Sequence, residues 1–78
     1  MPTVPRHGPY RLFFYSADGH EPPHGHIERD ANAGKFWLDP VRLADSGGYG
    51  AKELRLIEEL VTTNRELLLR AWNDSFVG

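Results

Sequence analysis

The sequence predicts an α+β domain in the order β-β-β-α-α, with a small three-stranded antiparallel sheet followed by two C-terminal helices packed on one face. Two observations give this fold class. Short apolar and aromatic runs separated by turn residues fill the first half of the chain, and apolar residues recur at helical spacing in the second half. With 78 residues, the chain has room for one hydrophobic core, so residues 1–78 are expected to form a single domain.

The first predicted strand covers residues 10–15, an aromatic-rich segment that lies between Gly-Pro and Asp-Gly pairs. Residues 16–23 follow as a loop with a turn at residues 17–19. Two prolines just before residue 24 hold the chain extended, because each fixes its own φ and disfavours helix at the preceding residue. The loop therefore leads into a second strand at residues 24–29.

The third predicted strand covers residues 33–38 and is joined to the second by a short turn at residues 30–32. Such a short connection favours an antiparallel hairpin. Pro40 ends the third strand, because proline cannot donate a hydrogen bond within a sheet. Residues 41–50 are then expected to be a connection without strand structure.

Helix one is expected to begin at Ala51, with Gly50 as its N-cap. Residues 63–66, Thr-Asn-Arg-Glu, fit a capping box, which predicts that a second helix starts there. The alternative is a single kinked helix over residues 51–75. The apolar positions that define the buried stripe of this region are Leu54, Ile57, Leu60, Val61, Leu67, Leu68, Ala71, Trp72 and Phe76.

Composition excludes several functional classes. The chain has no cysteine, which rules out disulfides and cysteine-ligated zinc, and no apolar run long enough to span a membrane. A formal net charge of −2 argues against a polycationic nucleic-acid arm. No phosphate-binding glycine loop is present, so no cofactor is predicted, and a cytoplasmic location is expected.

The most informative stretch is residues 21–27, Glu-Pro-Pro-His-Gly-His-Ile. Alternate residues of a strand share a face, so His24 and His26 are expected to point the same way and Ile27 the opposite way. Matching Ile27 to the apolar positions of the third strand assigns it to the core. The residues expected on the face that the helices leave uncovered are then His24, His26, Glu28, Lys35 and Trp37.

Two histidines on one face can act as general base and general acid in phosphodiester cleavage, because they titrate near neutral pH. This hypothesis makes His24 and His26 catalytic candidates. Arg11 and Lys35, with Arg29 as a further candidate, would supply the cation for the phosphate. Tyr15, Trp37 and Phe13 would stack against bases.

Two other hypotheses use the same face. A His-x-His pair is a common way to present two metal ligands, and His20 is the first candidate for a third ligand, with Glu21, His7 and Glu28 as alternatives. The aromatic face can instead dock a protein partner without catalysis, because exposed apolar patches usually mark interaction sites. A homo-oligomer or heteromer is expected on the same ground.

The chain also resembles a known family, the small bacterial proteins called domain of unknown function 4160. The resemblance lies in residues 1–4, 8–11, 13–16, 21–27 and 35–41, and extends to the helical residues 66–68 and 71–72. It implies a gene neighbour of the family called domain of unknown function 2442 and a toxin–antitoxin-like pair. On that basis we expect a toxin-type component, an RNase using His24 and His26, with its cognate small protein and RNA as partners.

Overall fold

The computed structural model describes residues 8–77. Within that range the chain forms four strands, two α-helices and one short 3-10 segment. In chain order these are β1 (Arg11–Phe13), the 3-10 segment (Ser16–His20), β2 (His24–Arg29), β3 (Asn32–Leu38), β4 (Val41–Asp45), α1 (Ala51–Thr63) and α2 (Arg65–Phe76).

The α+β class and the antiparallel sheet are confirmed, but the sheet has four strands in the order β1-β2-β3-β4. The prediction of a connection without strand structure over residues 41–50 is therefore wrong for Val41–Asp45, which pairs with β3. This strand lies at the edge of the sheet and is mostly exposed. A strand of five mostly exposed residues carries too short an apolar alternation to be recognised from its sequence. The first strand is also shorter than predicted, three residues instead of six.

The pairing register places the side chains on two distinct faces. Leu12 lies opposite Ile27, and His26 lies opposite Lys35. Directly opposite residues of an antiparallel pair project to the same face, so the predicted division between an apolar and a polar face is confirmed. The apolar face packs against the helices, and the core comprises Leu12, Phe14, Ile27, Phe36, Leu38, Tyr49, Ile57, Val61, Leu68 and Trp72.

The helical region forms two helices, not a single kinked one, and Gly50 is the N-cap of α1 as predicted. The capping box is wrong, because Thr63 is the last residue of α1 and makes no cap for α2. Asn64 lies between the helices, and its side-chain Nδ2 donates to the carbonyl of Leu60 at 2.8 Å. The helix break therefore depends on a C-terminal contact of α1.

Polar contacts fix both helices to the sheet. In α1, Glu53 accepts hydrogen bonds from the Tyr10 hydroxyl, at 2.8 Å, and from the Arg29 guanidinium. In α2, the Nε of Arg65 donates to the Leu38 carbonyl at 3.0 Å. These bonds set where each helix crosses the apolar face.

The loop predicted over residues 16–23 contains the 3-10 segment, which Asp18 closes. The backbone N–H of Asp18 donates to the Tyr15 carbonyl at 3.0 Å, and the Tyr15 N–H donates back to Asp18 Oδ2 at 2.8 Å. Gly19 lies against α2, where a Cβ at this position would be only 2.6 Å from Cδ1 of Phe76. Glycine is therefore required here by close packing between the segment and the helix.

None of the helices in residues 8–77 combines the length and apolar character that a membrane crossing requires.

The contact between Gly19 and Phe76 gives a prediction about stability. Gly19→Ala should lower the free energy of unfolding by about 1–3 kcal/mol, because the added methyl group overpacks the contact with Phe76. Urea denaturation followed by circular dichroism measures this. The matched control is Gly25→Ala, whose Cβ would meet Phe14 at an ordinary 3.8 Å. Equal stability of the two variants would contradict the packing argument.

Candidate functional site

The residues predicted on the polar face of the sheet do lie together. The His24 and His26 rings are in edge contact, with centroids 5.1 Å apart, and the Trp37 ring lies 5.4 Å from His24. Lys35 Nζ lies 4.5 Å from the centroid of the Trp37 ring, within cation–π range. The strand parity derived from the sequence is therefore confirmed for these residues.

The two histidines converge on a third residue, Asp18 of the 3-10 segment. Its Oδ2 lies 3.0 Å from Nε2 of His26 and 3.2 Å from Nε2 of His24. The three donor atoms lie within 4.8 Å of one another. We call this group the Asp18–His24–His26 cluster. It is the kind of carboxylate and imidazole set that binds first-row divalent metals.

The tautomer of His24 follows from its surroundings. Nδ1 lies 2.9 Å from the Pro22 carbonyl oxygen, which can only accept, so Nδ1 carries the proton. In the neutral ring Nε2 then presents a lone pair. That atom is fully buried and has no hydrogen-bond partner, although Asp18 Oδ2 is 3.2 Å away. Two electron-rich atoms at this distance repel unless a positive charge lies between them, so the site needs either a proton on Nε2 or a cation.

The ionisation of the other two members favours a cation site. Burial tends to raise the pKa of the Asp18 carboxyl, but the Tyr15 N–H and the two imidazoles together bring that pKa below its ordinary value. Burial of the His26 ring lowers the pKa of His26, and this outweighs the opposite effect of Asp18. At neutral pH the cluster therefore offers an ionised carboxylate and a neutral imidazole, the states that bind metals.

Aromatic side chains enclose the cluster on several sides. The His24 ring lies 5.1 Å from Trp72 of α2, and the His26 ring stacks on Phe13 at 5.4 Å. Tyr15 packs edge-on against His26 at 4.7 Å while remaining 54% exposed. This arrangement excludes water from His24 and leaves the His26 side of the cluster nearer to solvent.

One expectation about His24 needs correction. Strand parity predicts both imidazoles on the open side of the sheet, but His24 is completely buried. It lies at the first residue of β2, at the end of the sheet, where Trp72 of α2 reaches it. The 3-10 segment covers the same end of the polar face through Asp18. His26 keeps 16% of its side chain exposed.

The cations assigned to a phosphate are each paired with a carboxylate. Arg11 Nε donates to Glu28 at 3.0 Å, and Lys35 Nζ donates to Glu21 at 2.8 Å. Arg29 pairs with Glu53. The charge that a phosphate would meet at these three residues is therefore largely balanced.

The third member of the cluster is Asp18, which sequence reasoning did not select. His20 is exposed and lies outside the cluster, as do Glu21 and Glu28, and His7 lies outside the described residues. The Asp-Gly pair at residues 18–19 indicated only a turn. Spacings of six and eight residues from Asp18 to the histidines carry no known ligand signature, so folding of the turn over the strand decides the contact.

Fold and site together define a small α+β domain with a buried His–His–Asp cluster at one end of a four-stranded sheet. The chain belongs to the family described as Domain of unknown function (DUF4160), whose family model matches residues 10–73. This confirms the resemblance noted from the sequence. No curated protein matches the chain, and no solved structure does. The toxin–antitoxin context is not addressed by the family match and stays a prediction.

Removing the shared carboxylate should destabilise the metal-free protein. Asp18→Ala leaves the Tyr15 N–H and the His26 imidazole without their common partner, so we expect the free energy of unfolding to fall by about 2–4 kcal/mol. Urea denaturation in EDTA measures the change. His20→Ala is the matched control, because His20 is exposed and near in sequence. A loss of less than about 1 kcal/mol in the free energy of unfolding, which is what an exposed ion pair contributes, would contradict this role for Asp18.

The pKa of His26 gives a pH prediction. Because folding lowers this pKa below the ordinary 6.5, the unfolded chain binds the proton more tightly than the folded chain. The contribution of His26 to stability is therefore fully present above the ordinary pKa. It is lost as the pH falls from the ordinary pKa towards the lower pKa of the folded protein. In EDTA, the free energy of unfolding of the wild type should therefore fall more steeply below pH 6.5 than that of His26→Gln. Parallel pH curves would be the contradicting result.

Proposed function

We propose that this protein binds one divalent transition-metal ion, zinc or a neighbouring first-row ion, through Asp18 Oδ2 and the Nε2 atoms of His24 and His26. The observation that carries the proposal is the buried, unpartnered Nε2 of His24, which faces a carboxylate oxygen at 3.2 Å. A cation between the three atoms would satisfy the lone pair, the carboxylate and the second imidazole together.

The separations of the donor atoms support this assignment. Metal–ligand distances of about 2.1 Å put neighbouring donors about 3.0 Å apart at right angles and about 3.4 Å apart in a tetrahedron. The separations from Asp18 Oδ2 are 3.0 Å to His26 and 3.2 Å to His24. Both separations from Asp18 Oδ2 are therefore compatible with a first-row ion.

The hydrogen bond from His24 to the backbone is of the kind that metal-bound histidines make. Metal-bound histidines usually donate their other ring N–H to a carboxylate or a backbone carbonyl, which fixes the tautomer and the direction of the lone pair. The Nδ1 of His24 does so to Pro22, and the Pro22-Pro23 pair limits how that carbonyl can move. The backbone thus holds Nε2 towards Asp18.

The cluster offers three protein ligands within residues 8–77, the number that catalytic zinc sites use, whereas structural zinc sites use four. When bound, such an ion would act as a Lewis acid at its free coordination position. Because His26 and Asp18 are partly exposed, that position would lie on the side of the cluster nearer to solvent.

The toxin-type RNase and the non-enzymatic binding module both remain predictions from the sequence and the resemblance. The burial of His24 does not favour a mechanism in which both imidazoles touch an RNA substrate, and the pairing of Arg11 and Lys35 removes two cations from it. Neither fact tests whether the protein binds a cognate partner protein.

Metal binding gives a direct test on untagged protein. After dialysis against EDTA and return of zinc, we expect one equivalent of metal per chain by elemental analysis. Because each variant lacks one ligand, Asp18→Asn, His24→Gln and His26→Gln should each weaken binding about 100-fold or more in calorimetric titration. Replacing zinc with cobalt gives visible absorption bands that report the ligand set, independently of stability.

His20→Gln is the matched control, because it removes an imidazole near the cluster without removing a donor. Circular dichroism of each variant shows whether the fold persists. A wild type that takes up less than 0.1 equivalent of zinc, cobalt, manganese or iron(II), an amount on the order of trace contamination, would refute the proposal. Equal affinity of His20→Gln and His26→Gln for the metal would refute the assigned ligands.

A further inference from the structure

The strand β4 forms one edge of the sheet and is accessible along most of its length. Arg42, Leu43, Ala44 and Asp45 are all exposed, and Leu43 is 46% exposed. Within residues 8–77 no further strand pairs with its outer side. An edge strand of five residues offers backbone N–H and C=O groups that a second strand can pair with. The opposite edge, β1, has only three residues.

The side chains of β4 are arranged so that the strand is complementary to itself. Arg42 lies opposite Trp37, and Asp45 lies opposite Lys35, so both project to the polar face of the sheet. Residues three apart in a regular strand would project to opposite faces. The shift in pairing register between Lys35 and Phe36 lets Arg42 and Asp45 share one face. Neither Arg42 nor Asp45 makes an ion pair with another residue of the described range 8–77.

We propose that β4 pairs antiparallel with β4 of a second copy of this chain, with Arg42 of each copy opposite Asp45 of the other. A two-fold axis brings the same strand of both copies together in opposite directions, as an isologous interface requires. A register centred between Leu43 and Ala44 then forms two identical ion pairs. The result is a continuous eight-stranded sheet, since each copy supplies four strands.

The charges of β4 favour a second copy of this chain as the partner at this edge. A strand from an unrelated protein would need its own basic and acidic residues at these positions, whereas this chain supplies both. Leu43 lies opposite Phe36 and borders a shallow cleft between β4 and α1, lined by Ala51 and Leu54, so pairing at this edge also covers apolar surface. The strand β1 has a basic residue and no acidic one, so it lacks this complementarity.

The end of β4 is fixed in a way that suits a docking edge. The side-chain Oδ1 of Asp45 accepts the Gly47 N–H at 2.9 Å, which leaves its other oxygen for the partner's arginine. Four residues after Asp45, Tyr49 is buried, and its hydroxyl donates to the Ile27 carbonyl at 3.0 Å. The edge is therefore held by the core of its own copy, so less ordering is needed on association.

Charge exchange tests this interface without touching the core. Arg42→Asp makes the strand acidic at both positions, and Asp45→Arg makes it basic at both. Each variant alone should dissociate, with a dissociation constant raised about tenfold or more, because like charges then lie directly opposite each other twice. An equimolar mixture should associate again, because every pair across the interface then joins opposite charges.

Sedimentation velocity of untagged full-length chain in EDTA measures the masses, so that metal bridging through the Asp18–His24–His26 cluster does not contribute. The wild type should be a dimer that dissociates in a concentration-dependent way. The matched control is Arg70→Asp, an exposed charge reversal on α2, which should leave the dimer unchanged. A wild type that stays monomeric at millimolar concentration, single variants that dimerise as well as the wild type, or a mixture that stays monomeric would each overturn the proposal.

Discussion

The interaction on which this structure depends is made by a single carboxylate oxygen, Oδ2 of Asp18. It accepts the Tyr15 N–H at 2.8 Å and lies within 3.2 Å of two imidazole nitrogens. The first contact closes the 3-10 segment, and the hydrogen bond with His26 holds that segment against β2. One side chain therefore determines a local turn and the contact of that turn with the following strand. Its loss would release the turn and leave the His26 ring without its carboxylate partner.

The environment of this oxygen strengthens its interactions. Trp72 of α2, Trp37 of β3 and Phe13 of β1 lie against the two imidazoles, and His24 is completely buried. In such a low-dielectric setting a paired charge stabilises the fold more than it would in water, and an unpaired charge destabilises the fold more. A buried nitrogen without a partner is for this reason informative, and it is the observation behind the proposal of a metal ion at the Asp18–His24–His26 cluster.

The strand and helix assignments could be predicted where side-chain periodicity is strong. Ile27, Phe36 and Leu38 fixed which face of the hairpin is buried, so the grouping of His24, His26, Lys35 and Trp37 followed from strand parity alone. Periodicity fails at the edge of the sheet, where β4 is exposed on most of its length, and at Asn64, whose contact with the Leu60 carbonyl separates the helices. The strand β4 depends on pairing with β3, and the contact of Asn64 is made to a backbone carbonyl. Neither interaction requires a repeat of apolar residues in the sequence.

By itself the sequence determined the α+β class, the hairpin that carries the histidines and the face on which they lie, because alternation along a strand is a local property. Only the tertiary structure decided that His24 is buried, that Asp18 and not His20 completes the cluster, and that Arg11 and Lys35 are neutralised by glutamates. These facts depend on how a turn and a helix end close over the end of the sheet. Contacts between segments that are far apart in the chain carry no periodic signal, and so they become visible only when the chain is folded.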